Sequence, residues 1–532
     1  MPAPEDKGPQ ELVLTDEMEP VHVLLPAEKQ RAQGAKLPER PEHRDRGSFA
    51  TPSALLARAA EFEPRLVLSQ LRLDREIELE SGEGEPLEDP PGKVVAHGKP
   101  EGNILPTLAS FSARQLGLLA VATLLPRALL AALLGIVGAP ERWEYDVIAA
   151  NIVSGSGHLY DRLGFVYAAY APPLWSYLLA LLTAPFGEAR GAIQVAQAFL
   201  CFGAAAIYGS LARMISGHAR TGLVAAFLVA LQPSLLYYSV VKSDPLPLNV
   251  LLVGLIVITG IGVATRPTDR CAAAFGLLVG LGVLSRGTPI VILPIVAGAL
   301  LFRFGSKALR PVGVTTIAFT LCLAPWLIRN FLRLGAPVIT TTTGENFWRG
   351  NHEGATGGVR DDDGGEISRL LPSNEDLPEA IRRVLAEGSE MERDKVFASE
   401  SWRFIRSHPA GAAALFARKL RTFWWRLDSD PRDYSRALVI AYEAIYRLEL
   451  GLALVGMLLG ARTLPGPSEA PEPWPGFVVF AALIAMSLLQ CAFYVQGRHR
   501  FLIEPLLLIF TALGLAALAR ATRLPGDFGR EP

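Results

Sequence analysis

Several familiar signatures are missing from this 532-residue sequence. It contains no Walker loop, no Rossmann glycine pattern, no metalloprotease helix and no convincing Ser/His/Asp arrangement. Chemistry that depends on cytosolic nucleotide binding is therefore disfavoured. Cysteine is scarce as well, and the four thiols lie in or beside apolar runs, so we predict buried side chains and not a disulfide framework. They are Cys201, Cys271, Cys322 and Cys491.

The first 113 residues lack any apolar run that could span a bilayer, and they lack the hydrophobic core of a signal peptide. They are rich in Glu, Pro and Arg. This composition cannot bury enough apolar surface to order a chain. We predict that 1–113 is a cytosolic, mostly disordered extension, with a short helix around 53–80.

Apolar segments dominate the rest of the chain. The whole sequence is 50% hydrophobic, with a net charge of −1 and a mean hydropathy of +0.29. From residue 115 onward, apolar runs recur at close to the roughly 20 residues that a membrane-spanning helix needs. The expected fold class is an all-α polytopic membrane protein. The candidate spans are 116–138, 190–211, 220–241, 246–265, 271–286, 288–303, 311–329, 437–460, 476–493 and 500–520.

Basic connections set the orientation of these spans, since Lys and Arg favour the cytosolic side. Placing every strongly basic connection inside gives a consistent alternation with both termini cytosolic; these connections are 213–220, 265–270, 302–310 and 520–523. Four segments then lie outside, namely 139–171, 241–247, 330–436 and 496–500. We expect an N-terminal transmembrane half over 114–330, a large outer, periplasmic loop over 331–436, and C-terminal spans with a short cytosolic tail over 437–532.

Three segments do not fit a simple span. Residues 172–187 are apolar but short, and we favour a membrane-embedded or interfacial helix over a short tilted span, which would bring the count from ten to eleven. The large outer loop reads as helical over about 376–426, and its end has the arginines and tryptophans of an amphipathic helix at the membrane interface. The acidic run 361–366 lacks the alternating ligands of a calcium loop, so we interpret it as solvated.

The stretch "ERWEYDVIAANIVSGSGHLYD", residues 141–161, places Glu141, Glu144 and Asp146 beside a predicted membrane boundary. A helix over about 143–154 would separate Glu144 and Asp146 by about 200°, on opposite flanks of an apolar face. The two carboxylates therefore cannot both point into one small site. Helical phase does not choose between them, and an acid in a first turn also suits the helix dipole.

A second candidate acid, Asp244, stands in "VKSDPLP" at the mouth of a span, beside Lys242. An ionisable group at a membrane edge favours function, while the following Pro245 also suits an N-cap, and both roles can coexist. Outer arginines are unexpected by the charge rule. They suit an anionic ligand at the bilayer surface or snorkelling to headgroups. These basic candidates are Lys242, Arg286, Arg329, Arg498 and Arg500.

Four stretches in order resemble the bacterial GT-C glycosyltransferases of the family 39 type, which include protein O-mannosyltransferases and lipid A aminoarabinose transferases. They read "EYDVIAANIVSGSGHLYD" with "APPLWSYLLALL", "PSLLYYSVVKSDPLPLNVLL", "APWLIRNFLRLGAPVITTTTGENFWRGN" and "QGRHRFLIEPLLLI". The resemblance covers about 116–520 and leaves the first 113 residues unmatched. It implies a GT-C-like bundle of about 10–11 transmembrane helices with outer-face amphipathic helices and one large outer loop.

The resemblance also implies an activity. Such enzymes take a sugar from a polyprenyl-phosphate carrier and transfer it, with inversion, to an acceptor hydroxyl on the outer face of the inner (plasma) membrane. An outer-loop carboxylate acts as general base, and cations stabilise the leaving phosphate. The implied partners are the lipid-linked donor, the bilayer and a protein, glycolipid or polysaccharide acceptor, with no nucleic acid. A divalent metal stays open as a cofactor, because relatives differ.

Residue by residue, the resemblance makes Glu144 the best match to the catalytic acid, with Asp146 in reserve and Asp244 as the second acid. It places Lys242, Arg329, Arg498 and Arg500 near the donor phosphate. It gives sugar-binding or loop-organising roles to Asn330, Asn346 and Asn351. Two other hypotheses are a lipid-linked sugar transporter or flippase and a catalytically inactive relative in envelope assembly. A transporter favours midplane ionisable pairs and inverted repeats, neither of which is evident in the sequence.

Overall fold

The computed structural model describes residues 111–185, 190–358, 370–427, 435–463 and 474–522. The proposed short helix at 53–80, nearly all of the N-terminal extension and the acidic run 361–366 lie outside these residues. The described chain is almost entirely helical, with one two-stranded antiparallel hairpin. Hairpin strand β1 is Tyr160–Arg162 and strand β2 is Phe165–Tyr167.

The described residues of the N-terminal half form ten α-helices. They are α1 (Ala113–Leu133), α2 (Glu144–Val153), α3 (Pro173–Thr183), α4 (Arg190–Ser216), α5 (Ala219–Ala230), α6 (Pro233–Val241), α7 (Leu246–Thr265), α8 (Asp269–Ser285), α9 (Ile292–Phe304) and α10 (Leu309–Leu334). Short 3₁₀ turns, Thr288–Val291 and Gly305–Ala308, precede α9 and α10.

Where the C-terminal half is described, it forms eight more helices. They are α11 (Thr343–Arg349), α12 (Glu379–Glu387), α13 (Glu390–Ser407), α14 (Pro409–Trp425), α15 (Arg436–Thr463), α16 (Trp474–Ala492), α17 (Gly497–Phe501) and α18 (Glu504–Ala521). The helical reading of the large loop is thus confirmed for α12 to α14.

Each of the ten predicted apolar spans coincides with a helix or a helix pair. By length and composition, six helical segments of the described chain can cross a membrane, and the pair α5–α6, bent by 43°, makes a seventh. One of the six is the 47-residue segment Thr288–Leu334, which contains two predicted spans separated by Gly305 with a positive φ of 55°. The remaining two predicted spans are α8, 17 residues long, and α15, which carries charged residues. The all-helical, polytopic membrane architecture is confirmed.

Helix α3 is the short apolar segment that the sequence singled out. Its 11 residues extend about 16 Å at 1.5 Å per residue, roughly half of a ~30 Å hydrocarbon core. Pro173 in its first turn fixes where it begins, because proline has no N–H to leave unpaired there. Its buried side chains, including Trp175 and Leu179, pack with residues of α2 and α7. An embedded helix, and not a complete span, fits these dimensions.

Small residues bring the last two long helices close together. A Cβ at Gly456 of α15 would lie 2.0 Å from the Phe510 carbonyl oxygen, and one at Gly514 of α18 would lie 2.0 Å from the Leu452 carbonyl oxygen. Neither glycine can therefore be replaced without moving a backbone. Close approach over small residues is the usual source of helix association in lipid, where apolar burial gives little gain.

Described residues from, or directly beside, the four segments that the charge rule placed outside contact one another in one layer. We call it the loop layer and define it as the described residues of 139–171, 242–247, 335–427 and 492–501. Glu141 and Lys242 form an isolated parallel β-bridge. The Glu141 N–H donates to the Val241 oxygen at 2.7 Å, and the Ser243 N–H donates to the Glu141 oxygen at 3.0 Å. Thr341 N–H donates to the Ala169 oxygen at 2.8 Å. Val495 N–H donates to the Gly357 oxygen at 2.8 Å. Contacts among all four segments support their placement on one side of the bundle.

Glu390 fastens the first loop to the large loop. Its buried carboxylate accepts hydrogen bonds from the backbone N–H of Ala168 at 3.0 Å and of Ala169 at 3.3 Å, and from the Thr341 hydroxyl at 2.7 Å. One charged acceptor thus satisfies donors from two distant segments. Charge-assisted hydrogen bonds of this kind are among the stronger ones in proteins.

We expect Glu390→Ala to lower the free energy of unfolding by about 3 kcal/mol, because three donors lose a charged partner in a buried place. Unfolding of the purified protein in detergent measures the change. The matched control is Glu379→Ala. Glu379 is also the first residue of a helix, α12, but its side chain is exposed, so we expect a change within about 0.5 kcal/mol. Equal losses in the two variants would contradict the anchoring role.

Candidate active site

The two acids of α2 face different surroundings, as the helical phase predicts. Asp146 turns back to its own helix end, where its Oδ2 accepts a hydrogen bond of 3.1 Å from the Trp143 N–H. Burial raises the pKa of Asp146 to about 6, although the hydrogen bond from Trp143 opposes this shift. Asp146 also lines a mostly apolar groove of about 290 Å³ between α2 and α3. Its position is that of a capping residue.

Glu144, the first residue of α2, lies among charged groups from distant segments. Burial raises the pKa of its carboxyl group, Arg498 and Arg162 lower it, and the nearby Asp244 raises it. The same carboxylate influences the phenols of Tyr145, Tyr160 and Tyr170. Glu144 is therefore the acid of α2 that meets the second acid and the outer arginines.

Asp244 combines the two roles that its sequence context allows. Its Oδ1 accepts the Leu246 N–H at 2.8 Å at the start of α7, and its own N–H donates to Gln197 Oε1 at 3.0 Å. Burial raises the pKa of this carboxyl group, and Arg498, Arg286 and Lys242 lower it. The side chain thus caps a helix while it stands in the electrostatic field of the arginines.

Two arginines complete this cluster. Arg498 lies in the short helix α17, with its guanidinium carbon 5.9 Å from the Trp143 ring centroid. Burial alone would lower the pKa of Arg498, but Tyr494, Tyr238, Glu144 and Asp244 outweigh burial and raise it. Arg286 follows the last residue of α8 and donates to Gln490 Oε1 at 3.4 Å. The centre formed by Glu144, Asp244, Arg498 and Arg286, which we call the charge cluster, combines two carboxyl groups with two guanidinium groups.

A cavity of about 430 Å³ opens beside the charge cluster, and Arg286 is the cluster residue that lines it. Its walls come from α2, α7, the end of α8, the 339–346 segment, the end of α16 and α17, and Asn346 lies on one of them. Two lining groups, Asn249 Nδ2 and Ser285 Oγ, are buried without a hydrogen-bond partner. An unpaired buried donor is costly, so these groups indicate a binding place for an oxygen-rich ligand.

Two of the predicted cations have acidic partners outside the charge cluster. Lys242 is 2% exposed, with its Nζ 3.6 Å from Glu141 Oε2 and 4.5 Å from the Trp143 ring centroid. Arg500, also 2% exposed, donates to main-chain oxygens at the end of α14 and pairs with Glu504 at 3.2 Å. Neither side chain lines the cavity.

The remaining predicted residues organise the loop layer. Arg329 donates to the Ala168 oxygen at 2.6 Å and to the His158 oxygen at 3.2 Å, so it holds the first loop. Asn330, fully buried, donates to the Val338 oxygen at 2.6 Å. Asn351 donates to the Ala492 oxygen at 2.8 Å and accepts from Lys419 Nζ at 2.9 Å. Burial lowers the pKa of this lysine to about 8.

Sequence reasoning missed several site residues. Asn249 could have been found from the sequence, because a polar amide inside an otherwise apolar span is costly and usually has a function. Arg162 gave none, although it lies close enough to Glu144 to lower the pKa of that carboxyl group and pairs with the buried Glu345 at 3.0 Å. Tyr494, from the end of the α16 region, also lines the cavity.

Metal binding has little support from the donor set. Across the described residues, no group of three or more His, Cys, Asp or Glu side chains is placed to hold an ion. The charge cluster offers two carboxylates, and both stand beside guanidinium groups that would repel a cation.

The fold and the site together define a helical membrane protein with an acid–arginine centre where the bundle meets its loop layer. No protein-family model and no curated protein matches the sequence. Among solved structures, the chain is similar to the archaeal oligosaccharyltransferase AglB from Archaeoglobus fulgidus, in complex with an inhibitory peptide and a dolichol-phosphate. The identity is 17%, the TM-score is 0.43, and the match covers 79% of this chain and 52% of AglB.

The chain is also similar to ArnT from Cupriavidus metallidurans bound to undecaprenyl phosphate. That match has 12% identity and a TM-score of 0.34 and covers 75% of this chain and 79% of ArnT. The chain spans about half the length of the oligosaccharyltransferase structures that it matches. At this level of similarity, the functional conclusion rests on the residues of the site.

Proposed function

We propose that this protein is an inverting GT-C-type glycosyltransferase that moves a sugar from a polyprenyl-phosphate donor to an acceptor hydroxyl. The observation that carries the proposal is the charge cluster. Two half-buried carboxyl groups lie within electrostatic reach of two guanidinium groups, beside a 430 Å³ cavity at the loop-layer end of a membrane bundle. The guanidinium groups could bind the phosphate of a lipid-linked donor, and a carboxylate could act as the base for the acceptor hydroxyl.

The proposed step is a single displacement. Glu144 takes the proton of the acceptor hydroxyl while the acceptor oxygen bonds to the anomeric carbon from the face opposite the phosphate. The bond between the anomeric carbon and the phosphate oxygen breaks, and the electron pair leaves with the polyprenyl phosphate. Burial raises the pKa of Glu144, so its carboxylate is a stronger base than an exposed one.

The arginines supply the electrostatic part of the step. Negative charge grows on the leaving phosphate oxygen, and preorganised cations lower the free energy of that transition state. We assign this role to Arg498 and Arg286. The unpaired Asn249 amide and Ser285 hydroxyl would donate to phosphate or sugar oxygens in the cavity. Asp244 would not contact the reacting atoms but would hold Arg498 in place.

We further propose that the loop layer faces the periplasm and that the protein resides in the inner membrane. The basic connections 213–220, 265–270, 302–310 and 520–523 support this orientation, because they join or follow spans without taking part in the loop layer. Residues 114–330 and 437–522 would then form the membrane body. The large loop 331–436 would bear on the acceptor.

Purified protein in nanodiscs tests the proposal directly. We expect it to cleave at least one member of a panel of polyprenyl-phosphate sugars, with neutral, acidic and amino sugars represented, and to release polyprenyl phosphate when envelope extract supplies acceptors. Mass spectrometry of the lipid measures the release. If the panel stays intact while the same donors move across the bilayer, the protein is a transporter; if neither occurs, the inactive-relative hypothesis replaces the enzyme.

A further inference from the structure

A second charged centre surrounds Arg500 and Glu504, and the proposed chemistry does not use it. Arg500 Nη1 donates to the Phe423 oxygen at 2.9 Å and to the Arg426 oxygen at 2.8 Å. These are main-chain acceptors at the C-terminal end of α14, where helical carbonyls lack intrahelical partners. Arg500 Nη2 donates to the Tyr442 hydroxyl of α15 at 3.0 Å, and its guanidinium carbon lies 3.8 Å from the Tyr446 ring centroid.

Glu504 extends this centre to a further helix. Its Oε1 accepts from Arg500 Nε at 3.2 Å and also from the Tyr442 hydroxyl. Its Oε2 accepts from Ser234 Oγ at 2.8 Å and from Gln232 Nε2 at 3.0 Å. Ser234 lies in the first turn of α6, and Gln232 directly precedes that helix. Glu504 therefore fixes the beginning of α6.

Two helices, α17 and α6, connect this network to the charge cluster. Arg500 shares the five-residue helix α17 with Arg498, two positions earlier. Helix α6 ends at Val241, three residues before Asp244. Phe501 of α17 packs against Tyr238 of α6, with ring centroids 5.5 Å apart, so the two helices also contact each other directly. The positions of Arg498 and Asp244 therefore depend on one buried anchor.

We propose that Arg500 and Glu504 are positioning residues, which set the placement of Arg498 against Asp244 and thereby the position of the donor phosphate. The inference rests on the proposed glycosyl transfer. Arg500 is not among the residues that line the 430 Å³ cavity, and it would act through the helix that it shares with Arg498. A small misplacement of a group that stabilises a transition state lowers the rate strongly, while binding of the ground state changes little.

The test separates positioning from stability. Arg500→Met with Glu504→Leu replaces a buried ion pair with apolar groups of similar volume, an exchange that often leaves stability unchanged. Here the exchange also removes the carboxylate acceptor of Ser234, so we expect the double variant to unfold at a lower temperature than the wild type but to stay folded in the assay. We expect it to keep the donor KM within about threefold and to lose about 10- to 100-fold in kcat. The matched control is Arg310→Met with Asp269→Leu, an exposed pair at 2.6 Å between α10 and α8, which should leave kcat unchanged.

A double-mutant cycle with Arg498→Met adds a readout that a structural role would not move. If the anchor acts through Arg498, removing Arg500 and Glu504 from the Arg498→Met protein should cost less than about threefold in kcat, so that the losses are not additive. Additive losses, or full kcat in a stable double variant, would overturn the proposal. Ser234→Ala, which removes a single hydrogen bond to Glu504, provides a milder variant with an expected loss of roughly three- to tenfold should the double variant not fold.

The activity of the wild-type protein distinguishes failure of the proposed function from failure of the positioning role. If the wild-type protein cleaves no donor, the proposed function fails. If the wild-type protein is active and the apolar double variant is equally active, only the positioning role fails.

Discussion

Glu144→Gln is expected to lower kcat for sugar transfer by about 100- to 10,000-fold, which is the usual contribution of a general base. Glutamine keeps the size and hydrogen-bonding shape of the side chain but cannot accept the proton of the acceptor hydroxyl. The donor KM should change little, because Glu144 acts on the acceptor side. Initial rates of polyprenyl-phosphate release at saturating donor give the comparison.

Asp146→Asn is the matched control, because it lies in the same first turn and differs in direction. Its carboxylate caps α2 through the Trp143 N–H, so asparagine should cost about 1 kcal/mol or less in stability and leave kcat within a few fold. If Asp146→Asn abolished transfer while Glu144→Gln did not, the base would be the other acid of α2.

Arg498→Met is expected to lower kcat by about 100- to 1,000-fold, comparable to the removal of one preorganised donor from an oxyanion site. The physical reason is the loss of a positive charge at the leaving phosphate. Lysine at this position should recover part of the rate, because it returns the charge without the planar fork of donors. A full rate in Arg498→Met would exclude a role in phosphate stabilisation.

The same substitution should also move the pH dependence. Arg498 lowers the pKa of the Glu144 carboxyl group, so its removal raises that pKa further. The reactive form is the ionised carboxylate, and activity is lost as the pH falls through this pKa. The acidic limb of the kcat profile should therefore shift to higher pH in Arg498→Met. A shift to lower pH would contradict the assigned contact between the two groups.

Local sequence patterns predicted most of the helices of the fold. Apolar runs and basic connections are readable along the chain, and all ten predicted spans are helical in the structure. Helical phase also separated Glu144 from Asp146, because both lie within one short helix whose geometry is fixed. These inferences needed no knowledge of which segments meet.

The site could be predicted only where its residues carry a local mark. Asp244 and Arg498 stand out as ions at a membrane edge, while the pairing of Arg162 with Glu345 joins positions 183 residues apart and leaves no trace in either neighbourhood. Arg500 shows the opposite case. As an outer arginine it suggested a phosphate ligand, yet Glu504 stands four positions later, the spacing at which opposite charges pair along a helix.

The parallel bridge between Glu141 and Lys242 constrains how this protein can vary. Glu144 follows the bridge by three residues on one strand of chain, and Asp244 follows it by two on the other. Inserting or deleting a residue in either short interval would displace one acid by about 3 Å relative to its partner. Length changes between 141 and 144 or between 242 and 244 should therefore be excluded among functional homologues, even where the residue types themselves are exchanged.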